Sequence, residues 1–385
     1  MAERTGNALR VAVLANRKYS VDVATGAPAD ALAEYDAEET VEAIQAALQD
    51  AGHRALFLEA DETLLDTVRQ VRPDICFNIA EGLRGDARES HVPALLELLD
   101  IPYTGSKVLT HAISLDKAVT KQLWRDAGLP TAPFQVFRYP ETPLSQSLSF
   151  PLFVKPVREG SGMGITAQSL VQDEGQLQAQ VRWIIKTYHQ PALVEAYLPG
   201  REFTIGLIGN RVFPRGGSRS QFYGEHGYHL FPVLEIDTGR GSVRGIYNAE
   251  AKSYAIDSEA APGYLCPADI PAELETELGL LAVAAFEAIG ALDVGRVDFR
   301  TGADGRPYLM EINTLPGLNP VLSDIVIAAL AGGVAYPQLI NEILDLACER
   351  YGMLTRPRDV RAAEAPAWDE AARIPAGESV AGGLR

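Results

Sequence analysis

The 385-residue sequence has few cysteines and no long hydrophobic run. The three cysteines are odd in number and widely spaced, which predicts reduced thiols and no disulfide framework; they are Cys76, Cys266 and Cys348. No apolar stretch approaches the length of a membrane span, and the first residues show neither the apolar region nor the cleavage site of a secretory signal. We therefore expect a cytoplasmic protein with no membrane partner.

Positive charge is also scarce. The chain has 34 Lys and Arg against 51 Asp and Glu, a formal net charge of −17. Nucleic-acid binding requires basic surfaces, so this charge argues against a nucleic-acid partner and against an anionic membrane face. A small anionic ligand held by a few local lysines is still compatible with it. An apolar fraction of 47% over this length predicts two or three domains, each with its own core.

The first hundred residues alternate between strand and helix patterns. Apolar runs at 9–14, 55–58 and 75–79 are typical of strands, and helical stripes separate them. This alternation predicts βαβ units and a parallel sheet. Ligands of such sheets bind at the carboxyl ends of the strands, so residues 16–19 and 78–88 are expected at the ligand face.

Residues 294–313, VGRVDFRTGADGRPYLMEIN, predict a β-hairpin that turns at its Asp-Gly pair. Pairing the strands about that turn places Asp298 opposite Glu311. Arg296 then falls opposite Asn313, and alternation puts all four on one face. The apolar residues take the other face: Val297, Phe299, Tyr308, Met310 and Ile312.

The two facing carboxylates of this hairpin would repel each other. A hard cation removes that repulsion, and carboxylate and amide oxygens are ligands that Mg²⁺ accepts. The hairpin therefore predicts a metal platform with an arginine beside it. The alternative is an exposed hairpin whose charges are solvated.

A glycine-rich loop follows Lys155 in FVKPVREGSGMG, residues 153–164. Glycines let backbone N–H groups approach a phosphate, and the lysine supplies charge, although an ordinary turn has the same composition. Lys117 and Lys252 are further cation candidates. Lys117 lies at a predicted helix start, where a docked anion would offset its unfavourable position, although a surface lysine is the simpler alternative. Glu195 and Glu202 could bind a nucleoside, or they could simply belong to a strand end and the turn that follows it.

Together these segments resemble the D-alanine–D-alanine ligase branch of the ATP-grasp superfamily. The matching segments, in the family's order from about residue 75 to residue 350, are LLELLDIPYTGS, SLDKAVTKQLWRDAGLPTAPF, FPLFVKPVREGSGMGI, LVEAYLPGREFT, YNAEAKSY, YLCPA, GRVDF and YLMEINTLPGLNP. The resemblance implies an α/β (α+β) ATP-grasp fold, in which two α+β subdomains clasp ATP beside a Rossmann-like parallel-sheet domain. The implied domains are 1–112 (Rossmann-like), 113–198 (central, with the glycine-rich loop) and 199–354 (C-terminal, with the hairpin and ω-loop). Residues 355–385 are predicted to be a flexible tail.

The resemblance also implies roles for individual residues. The ATP phosphates would be held by Lys117, Lys155 and Lys252, under a loop that contains Ser161. The residues that would contact adenine and ribose are Glu195, Glu202 and Met310, together with the backbone near Tyr197 and Leu198. Two Mg²⁺ ions, or Mn²⁺ in their place, would be bound by Asp298, Glu311 and Asn313. The oxyanion of the tetrahedral intermediate would be stabilised by Arg296 and the backbone around Gly317.

The implied reaction is ATP-dependent amide-bond formation through an acyl phosphate, between small amino-acid-like substrates. The resemblance is weaker where those substrates would bind, so we expect a substrate pair other than two D-alanines. The alternatives are a genuine D-alanine–D-alanine ligase of cell-wall synthesis and an ATP-grasp protein that binds nucleotide or transfers phosphate without ligation. The family resemblance also allows for a homodimer.

Several positions depart from the family pattern. The glutamate that holds the first amino group has no clear equivalent; Glu34, Glu38 and Glu39 are candidates, although helix-surface charge explains them more simply. Ser253, with Tyr254 next to it, stands in place of a loop tyrosine, and Leu322, with Ser323 next to it, stands in place of a substrate-binding serine. The family's Gly-Glu-Asp-Gly loop reads GDARES, with Arg84 and Arg88 nearby. An extra segment at 211–231 is either a substrate-contacting loop or an ordinary surface insertion.

Overall fold

The computed structural model describes residues 8–18, 27–211, 222–223, 226–240, 246–254 and 258–353. Within these residues the chain builds three sheets, one in each predicted domain region. One sheet is parallel and two are antiparallel. The α/β prediction with an N-terminal parallel sheet is therefore confirmed.

The N-terminal sheet has three parallel strands in the order β2-β1-β3: β1 Arg10–Ala15, β2 Arg54–Glu59 and β3 Ile75–Asn78. Its helices are α1 Glu38–Asp50, α2 Leu64–Val71 and α3 His91–Leu98, the last preceded by a short 3₁₀ turn at Arg88–Ser90. β1 is buried on both faces, as expected for the central strand of a covered parallel sheet. Lys18 and Glu81, which follow the carboxyl ends of β1 and β3, line one cavity together with Gly160 and Ser161 of the glycine-rich loop.

The central region carries a four-stranded antiparallel sheet in the order β4-β7-β5-β6. The strands are β4 Phe134–Phe137, β5 Leu152–Pro156, β6 Leu170–Val171 and β7 Ala192–Ala196. The helices are α4 Val108–Leu115, α5 Lys117–Asp126 and α6 Glu174–Tyr188. Leu177, Val181 and Ile184 form the buried stripe of α6 and pack in the core that covers this sheet.

The C-terminal region carries a six-stranded antiparallel sheet in the order β11-β10-β8-β12-β13, with β9 also paired to β8. The strands are β8 Glu202–Gly209, β9 Tyr228–Leu230, β10 Leu234–Asp237, β11 Gly263–Leu265, β12 Asp293–Thr301 and β13 Pro307–Asn313. The helices are α7 Ala249–Ser253, α8 Ala272–Ala288, α9 Asp324–Ala331 and α10 Tyr336–Arg350. Residues 211–247 look irregular in the sequence because β9 and β10 are too short to show a period.

The β12–β13 hairpin has the predicted register at its functional end. Asp298 pairs with Glu311 and Arg296 pairs with Asn313. A β-bulge follows, because Phe299 pairs with Leu309 and leaves Met310 as the extra residue. The prediction that Tyr308 and Met310 share the apolar face is therefore wrong. Leu309 is fully buried in the core instead, and Met310 lines a cavity on the opposite face of the sheet.

The N-terminal sheet docks on the C-terminal region through α1 and α10. Ile44 and Leu48 of α1 share one core cluster with Ile340 and Leu344 of α10. The Asn341 amide donates to the Ala47 carbonyl oxygen at 2.9 Å, which satisfies a polar group inside this apolar contact. This packing holds the carboxyl ends of β1 and β3 over the β12–β13 hairpin.

Among the residues that the structure describes, no single helix is long and apolar enough to cross a membrane. The pair Asp324–Ala331 and Tyr336–Arg350, bent by 108° at its break, meets the criteria of length and composition jointly. Both helices place apolar residues in the core cluster that also contains β1 and α1.

Candidate active site

A cavity of about 250 Å³ lies where the three regions of the chain meet. The sequence-predicted residues that line it are Lys117, Ser161, Lys252, Arg296, Glu311, Asn313 and Gly317. A smaller cavity of about 70 Å³ is lined by Lys155, Glu202, Asp298 and Met310. Both share Lys117, Tyr247, Lys252 and Glu311 as walls, so they lie side by side. The tertiary structure therefore brings together residues that are almost 200 positions apart in the chain.

Asp298 is held by a dense set of hydrogen bonds. Arg296 makes a bidentate pair with it, with Nε at 2.8 Å and Nη2 at 2.7 Å from its two oxygens. Thr204 Oγ1 donates to Oδ1 at 2.6 Å, and Asn313 Nδ2 donates to Oδ2 at 3.2 Å. Arg296 also reaches Asp324 at 3.4 Å. The carboxylate and the guanidinium are thus oriented before any ligand binds.

Glu311 faces a group of positive charges. Burial raises the pKa of this carboxyl, but four surrounding cations outweigh burial and lower the pKa to about 2. These cations are Lys117, Lys155, Lys252 and Arg296. Of these four cations, Lys117 forms the ion pair with Glu311, with 3.5 Å between Nζ and Oε2. Glu311 is therefore ionised at neutral pH and able to ligate a cation.

The glycine-rich loop packs against two other segments of the chain. Ser161, Gly162 and Gly164 all have positive φ, which glycine tolerates and which allows the tight loop. A Cβ at Gly162 would come within 2.7 Å of the Asn248 backbone, so the loop lies directly on the start of α7, the helix that carries Lys252. The glycine-rich loop and α7 together form one wall shared by the two cavities.

Lys155 forms an ion pair with a buried glutamate. Glu195 is 1% exposed and lies between Lys155 Nζ at 2.9 Å and Lys121 Nζ at 3.0 Å. Burial alone would raise the pKa of Glu195, but Lys121 and Lys155 outweigh burial and leave it lowered. Glu195, Tyr197 and Leu198 do not line either cavity, and the Tyr197 N–H already donates to the Pro151 carbonyl oxygen at 3.3 Å. Their predicted adenine contacts stay a prediction.

Glu202 lies in the smaller cavity beside Arg300, with 3.6 Å between Oε2 and Nη1. Burial raises the pKa of Glu202 to about 7, with a further contribution from the charge of Asp298, while Arg300 opposes the rise. Met310 lines the same cavity because the bulge turns it away from the core. This arrangement offers a carboxyl acceptor and an apolar surface next to Lys155.

Another wall of the large cavity comes from the N-terminal region. Glu34 belongs to this wall and precedes α1, so the interpretation of Glu34 as helix-surface charge is wrong. Its carboxylate accepts hydrogen bonds from Arg88 Nη2 at 2.6 Å and from the Gly160 N–H of the glycine-rich loop. Glu38 is 56% exposed and pairs with Arg17, and Glu39 is exposed, so the surface interpretation holds for these two.

Four residues that line the large cavity were not singled out from the sequence: Asp36, Glu81, Glu89 and Tyr247. Glu81 and Glu89 lie within or just after the segment 78–88 that was expected at the ligand face, so strand topology was the available signal. Tyr247 opens the segment YNAEAKSY, and its hydroxyl donates to Asp324 at 3.1 Å. Asp36 has no sequence signal of its own.

The structure also locates the other residues that depart from the family pattern. The Tyr254 hydroxyl donates to Glu250 at 2.8 Å, and Ser253 is the last residue of α7. Leu322 and Ser323 both line the large cavity, where Ser323 Oγ accepts from the Asn319 N–H at 2.8 Å. Most of the inserted segment 211–231 and the whole predicted tail lie outside the described residues.

Comparison with known proteins identifies the family. Residues 123–345, more than half of the chain, match the family model described as the D-ala D-ala ligase C-terminus. The D-alanine–D-alanine ligase of Nitrosococcus oceani is 32% identical over 301 residues, which cover 78% of this chain and 85% of that protein. The chain belongs to the D-alanine–D-alanine ligase family.

Two further likenesses cover most of the chain. An uncharacterized protein of Sinorhizobium fredii, y4sG, is 38% identical over 318 residues, covering 80% of this chain and 88% of that protein. The crystal structure of the D-alanine–D-alanine ligase from Bacillus anthracis complexed with ATP superposes with a TM-score of 0.65 at 21% identity, covering 90% of this chain and 99% of that one. The last likeness shows that the fold is that of an ATP-grasp ligase.

The hairpin of this family member has the donor set for Mg²⁺. Among the described residues no three His, Cys, Asp or Glu are grouped as metal ligands. Two carboxylates and one amide, from Asp298, Glu311 and Asn313, suit an ion that is shared with substrate phosphates rather than enclosed by protein. Both oxygens of Asp298 already accept two hydrogen bonds each, so an ion there would compete with Arg296 and Asn313.

Proposed function

We propose that this family member is an ATP-dependent carboxylate–amine ligase that forms an amide bond through an acyl phosphate, with a substrate pair other than two D-alanines. The carrying observation is the pair of adjoining cavities: three lysines, two hairpin carboxylates and Arg296 line them, together with an acidic wall from the N-terminal region. A protein that only bound nucleotide would not need Arg296 directed into the larger cavity beyond the hairpin.

The first step would be attack of a substrate carboxylate oxygen on the γ-phosphorus of ATP, with ADP as the leaving group. Lys117, Lys155 and Lys252 would neutralise the phosphoryl oxygens, because all three line the smaller cavity around Glu311. Mg²⁺ bound by Asp298, Glu311 and Asn313 would supply further charge stabilisation at the phosphates. The glycine-rich loop would close over this side and exclude water from the acyl phosphate.

The second step would be attack of the amine of the second substrate on the acyl carbon, with loss of a proton and expulsion of phosphate. Arg296 lies in β12 of the hairpin and lines the large cavity together with Gly317, so its guanidinium would stabilise the oxyanion of the tetrahedral intermediate. Its bidentate bond to Asp298 holds the guanidinium plane fixed, so little reorganisation is needed when charge develops.

We propose that the substrates of this chain differ from the two D-alanines in the names of its ligase relatives. The N-terminal wall presents Asp36, Glu81 and Glu89, and its Glu34 is already paired with Arg88. The second candidate is a genuine D-alanine–D-alanine ligase, favoured by the names of the relatives that are 32% to 34% identical. The two candidates share the ATP side and differ only in what the acidic wall accepts.

The test is phosphate release from Mg-ATP across single and paired amino acids of both chiralities, with the products identified by mass spectrometry. Release with another pair, and a product mass equal to their sum less water, would support the proposal. Release that requires D-alanine, with the mass of its dipeptide, would establish the second candidate. Nucleotide hydrolysis without any condensed product would overturn ligation.

A further inference from the structure

Lys121 is a fully buried lysine that has no role in the steps above. It lies in α5, one turn after Lys117. Unlike Lys117 and Lys155, it lines neither of the two cavities, so it cannot touch a nucleotide bound there. Burying an ammonium group is costly unless it is paired and hydrogen-bonded, so a lysine in this position is expected to have several partners.

Three acceptors surround the amine of Lys121. Its Nζ lies 2.7 Å from Thr131 Oγ1, 3.2 Å from the Leu309 carbonyl oxygen and 3.0 Å from Glu195 Oε2. These acceptors match the three N–H donors of a protonated lysine. Burial lowers the pKa of Lys121, and the charge of Glu195 opposes this effect. Lys121 is therefore a charged group whose donors are all used inside the protein.

Glu195 is shared between two lysines. While Oε2 contacts Lys121, Oε1 lies 2.9 Å from Lys155 Nζ. Burial would raise the pKa of the Glu195 carboxyl, but the two lysines outweigh burial, so the group is ionised at neutral pH. One carboxylate cannot neutralise two ammonium groups. Of the two lysines only Lys155 lines the smaller cavity, so the positive charge that remains is presented on that side.

Lys155 also faces two other carboxyls, Glu311 and Glu202, which line the smaller cavity with it. The family resemblance assigns these two groups to the metal and the ribose, whereas Glu195 lines neither cavity. If Glu195 were paired with Lys155 alone, it would cancel the positive charge that the phosphates require. Lys121 offsets Glu195 at contact distance without entering either cavity.

We propose that Lys121 is a positioning residue that acts through Glu195: it offsets the Glu195 carboxylate, so that the charge of Lys155 is available to the phosphates of the nucleotide. This inference rests on the proposed function, because it explains how the phosphate side of that site keeps its positive charge. The alternative is a purely structural role, since Lys121 also links α5 to β13 through its hydrogen bond to the Leu309 carbonyl oxygen.

The experiment measures the affinity of the full chain for two ligands by calorimetry: a non-hydrolysable ATP analogue with Mg²⁺, and adenosine, which has no phosphates. The ratio of the two affinities reports the phosphates and removes any contact of Glu195 with adenine. Lys121→Met should lower this ratio at least about tenfold, as the loss of one nearby buried charge predicts. The matched control is Arg125→Met, which removes one positive charge from the exposed side of α5 and should keep the ratio. An unchanged ratio in Lys121→Met would overturn the proposal.

A double variant separates charge from structure. Lys121→Met combined with Glu195→Gln removes one charge of each sign, so the local charge equals that of the wild type, while the hydrogen bond to Leu309 is still lost. The double variant should recover the affinity ratio to within about threefold of the wild type. A ratio as low as in Lys121→Met would overturn the proposal and leave the structural role. Glu195→Gln alone adds one net positive charge and should raise the ratio, which keeps the cycle decisive if urea unfolding shows that Lys121→Met does not fold.

Turnover separates this inference from the proposed function. Condensed product from the wild type, with the same affinity ratio in Lys121→Met, would leave the ligase proposal standing and remove the role of Lys121. A lowered ratio that the double variant restores, without condensed product from any amino-acid pair, would keep the role of Lys121 and remove ligation. The lowered and restored ratio together with a condensed product would support both.

Discussion

The two ends of the active-site cavity are built in different ways. At the nucleotide end, the chemistry lies on strands and helix starts: Lys117 begins α5, Lys155 lies in β5, and Asp298 and Glu311 lie in paired strands. At the substrate end, Glu34, Asp36 and Glu81 lie in connecting segments. Regular elements hold these lysines and carboxylates in fixed positions, whereas loops on a fixed scaffold can change specificity without disturbing them.

The ends also differ in electrostatic balance. Around Glu311 the positive groups prevail, so its pKa is lowered to about 2, whereas at the N-terminal wall burial and the charge of Glu34 outweigh Arg88 and Lys117 and raise the pKa of Glu89 to about 8. At neutral pH one end therefore favours an ionised carboxylate, and the other a protonated one. The following predictions test this contrast, in order of decreasing expected effect.

Glu311→Ala should abolish ATP turnover, with a loss of about a thousandfold or more in kcat, because it removes the ionised carboxylate at the centre of the cation group. Phosphate release under saturating Mg-ATP is the measurement. The control is Glu277→Ala on the exposed face of α8, which should retain full turnover. Full activity of the Glu311 variant would remove the metal assignment.

Glu195→Gln should destabilise the fold by about 3–5 kcal/mol, because it removes the carboxylate that contacts both buried lysines, Lys121 and Lys155. The pKa of Glu195 is lowered in the folded state, so its contribution is present above the ordinary value of 4.5 and is lost as the pH falls through the folded value. Urea unfolding measures the change. The paired variant Glu195→Gln with Lys121→Met should recover part of the loss; an unchanged midpoint in the single variant would contradict the prediction.

Arg296→Ala should spare nucleotide binding and lower the ligation rate by about a hundredfold, as loss of one oxyanion donor predicts. Calorimetric titration with the ATP analogue and mass spectrometry of the product separate the two effects. Arg296→Lys keeps the charge but cannot make the bidentate bond to Asp298, so it should recover only part of the rate. An unchanged product rate in the alanine variant would exclude the oxyanion role.

The KM for ATP should fall as the pH rises through about 7, by up to about tenfold between pH 6 and 8, because Glu202 ionises in this range and becomes a stronger acceptor. Glu202→Gln cannot ionise, so its profile reports the titration of ATP itself. The difference between the two profiles is the measured effect. Parallel profiles would show that Glu202 does not meet the nucleotide.

The smallest effect is expected on the surface just outside the acidic wall. Glu38→Gln should change stability by less than about 1 kcal/mol and leave kcat/KM unchanged, because its pair with Arg17 is exposed. Glu34→Gln, only four residues earlier, should lower kcat/KM at least about tenfold, because it removes the charge bound to Arg88 and Gly160. Equal effects of the two variants would contradict the separation of wall and surface.

Most of the nucleotide end was predictable from the sequence. Strand alternation and the Asp-Gly turn predicted that Asp298 faces Glu311 and Arg296 faces Asn313, because pairing about a tight turn is a local geometric consequence. The position of Met310 was predicted wrongly from alternation, because a one-residue bulge reverses every side chain beyond it and has no sequence mark here. The predicted domain boundaries stay a prediction.

The sequence by itself determined the family, the parallel N-terminal sheet and the facing pairs of the β12–β13 hairpin, since each depends on local periodicity and short motifs. Only the tertiary structure decided that Glu34 faces the glycine-rich loop while Glu38 faces solvent, and that Glu81 and Glu89 meet across one cavity. Loop carboxylates carry no periodic signal. Whether they become surface charge or a binding wall depends on where the N-terminal sheet docks on the β12–β13 hairpin, and that is decided by long-range packing between α1 and α10.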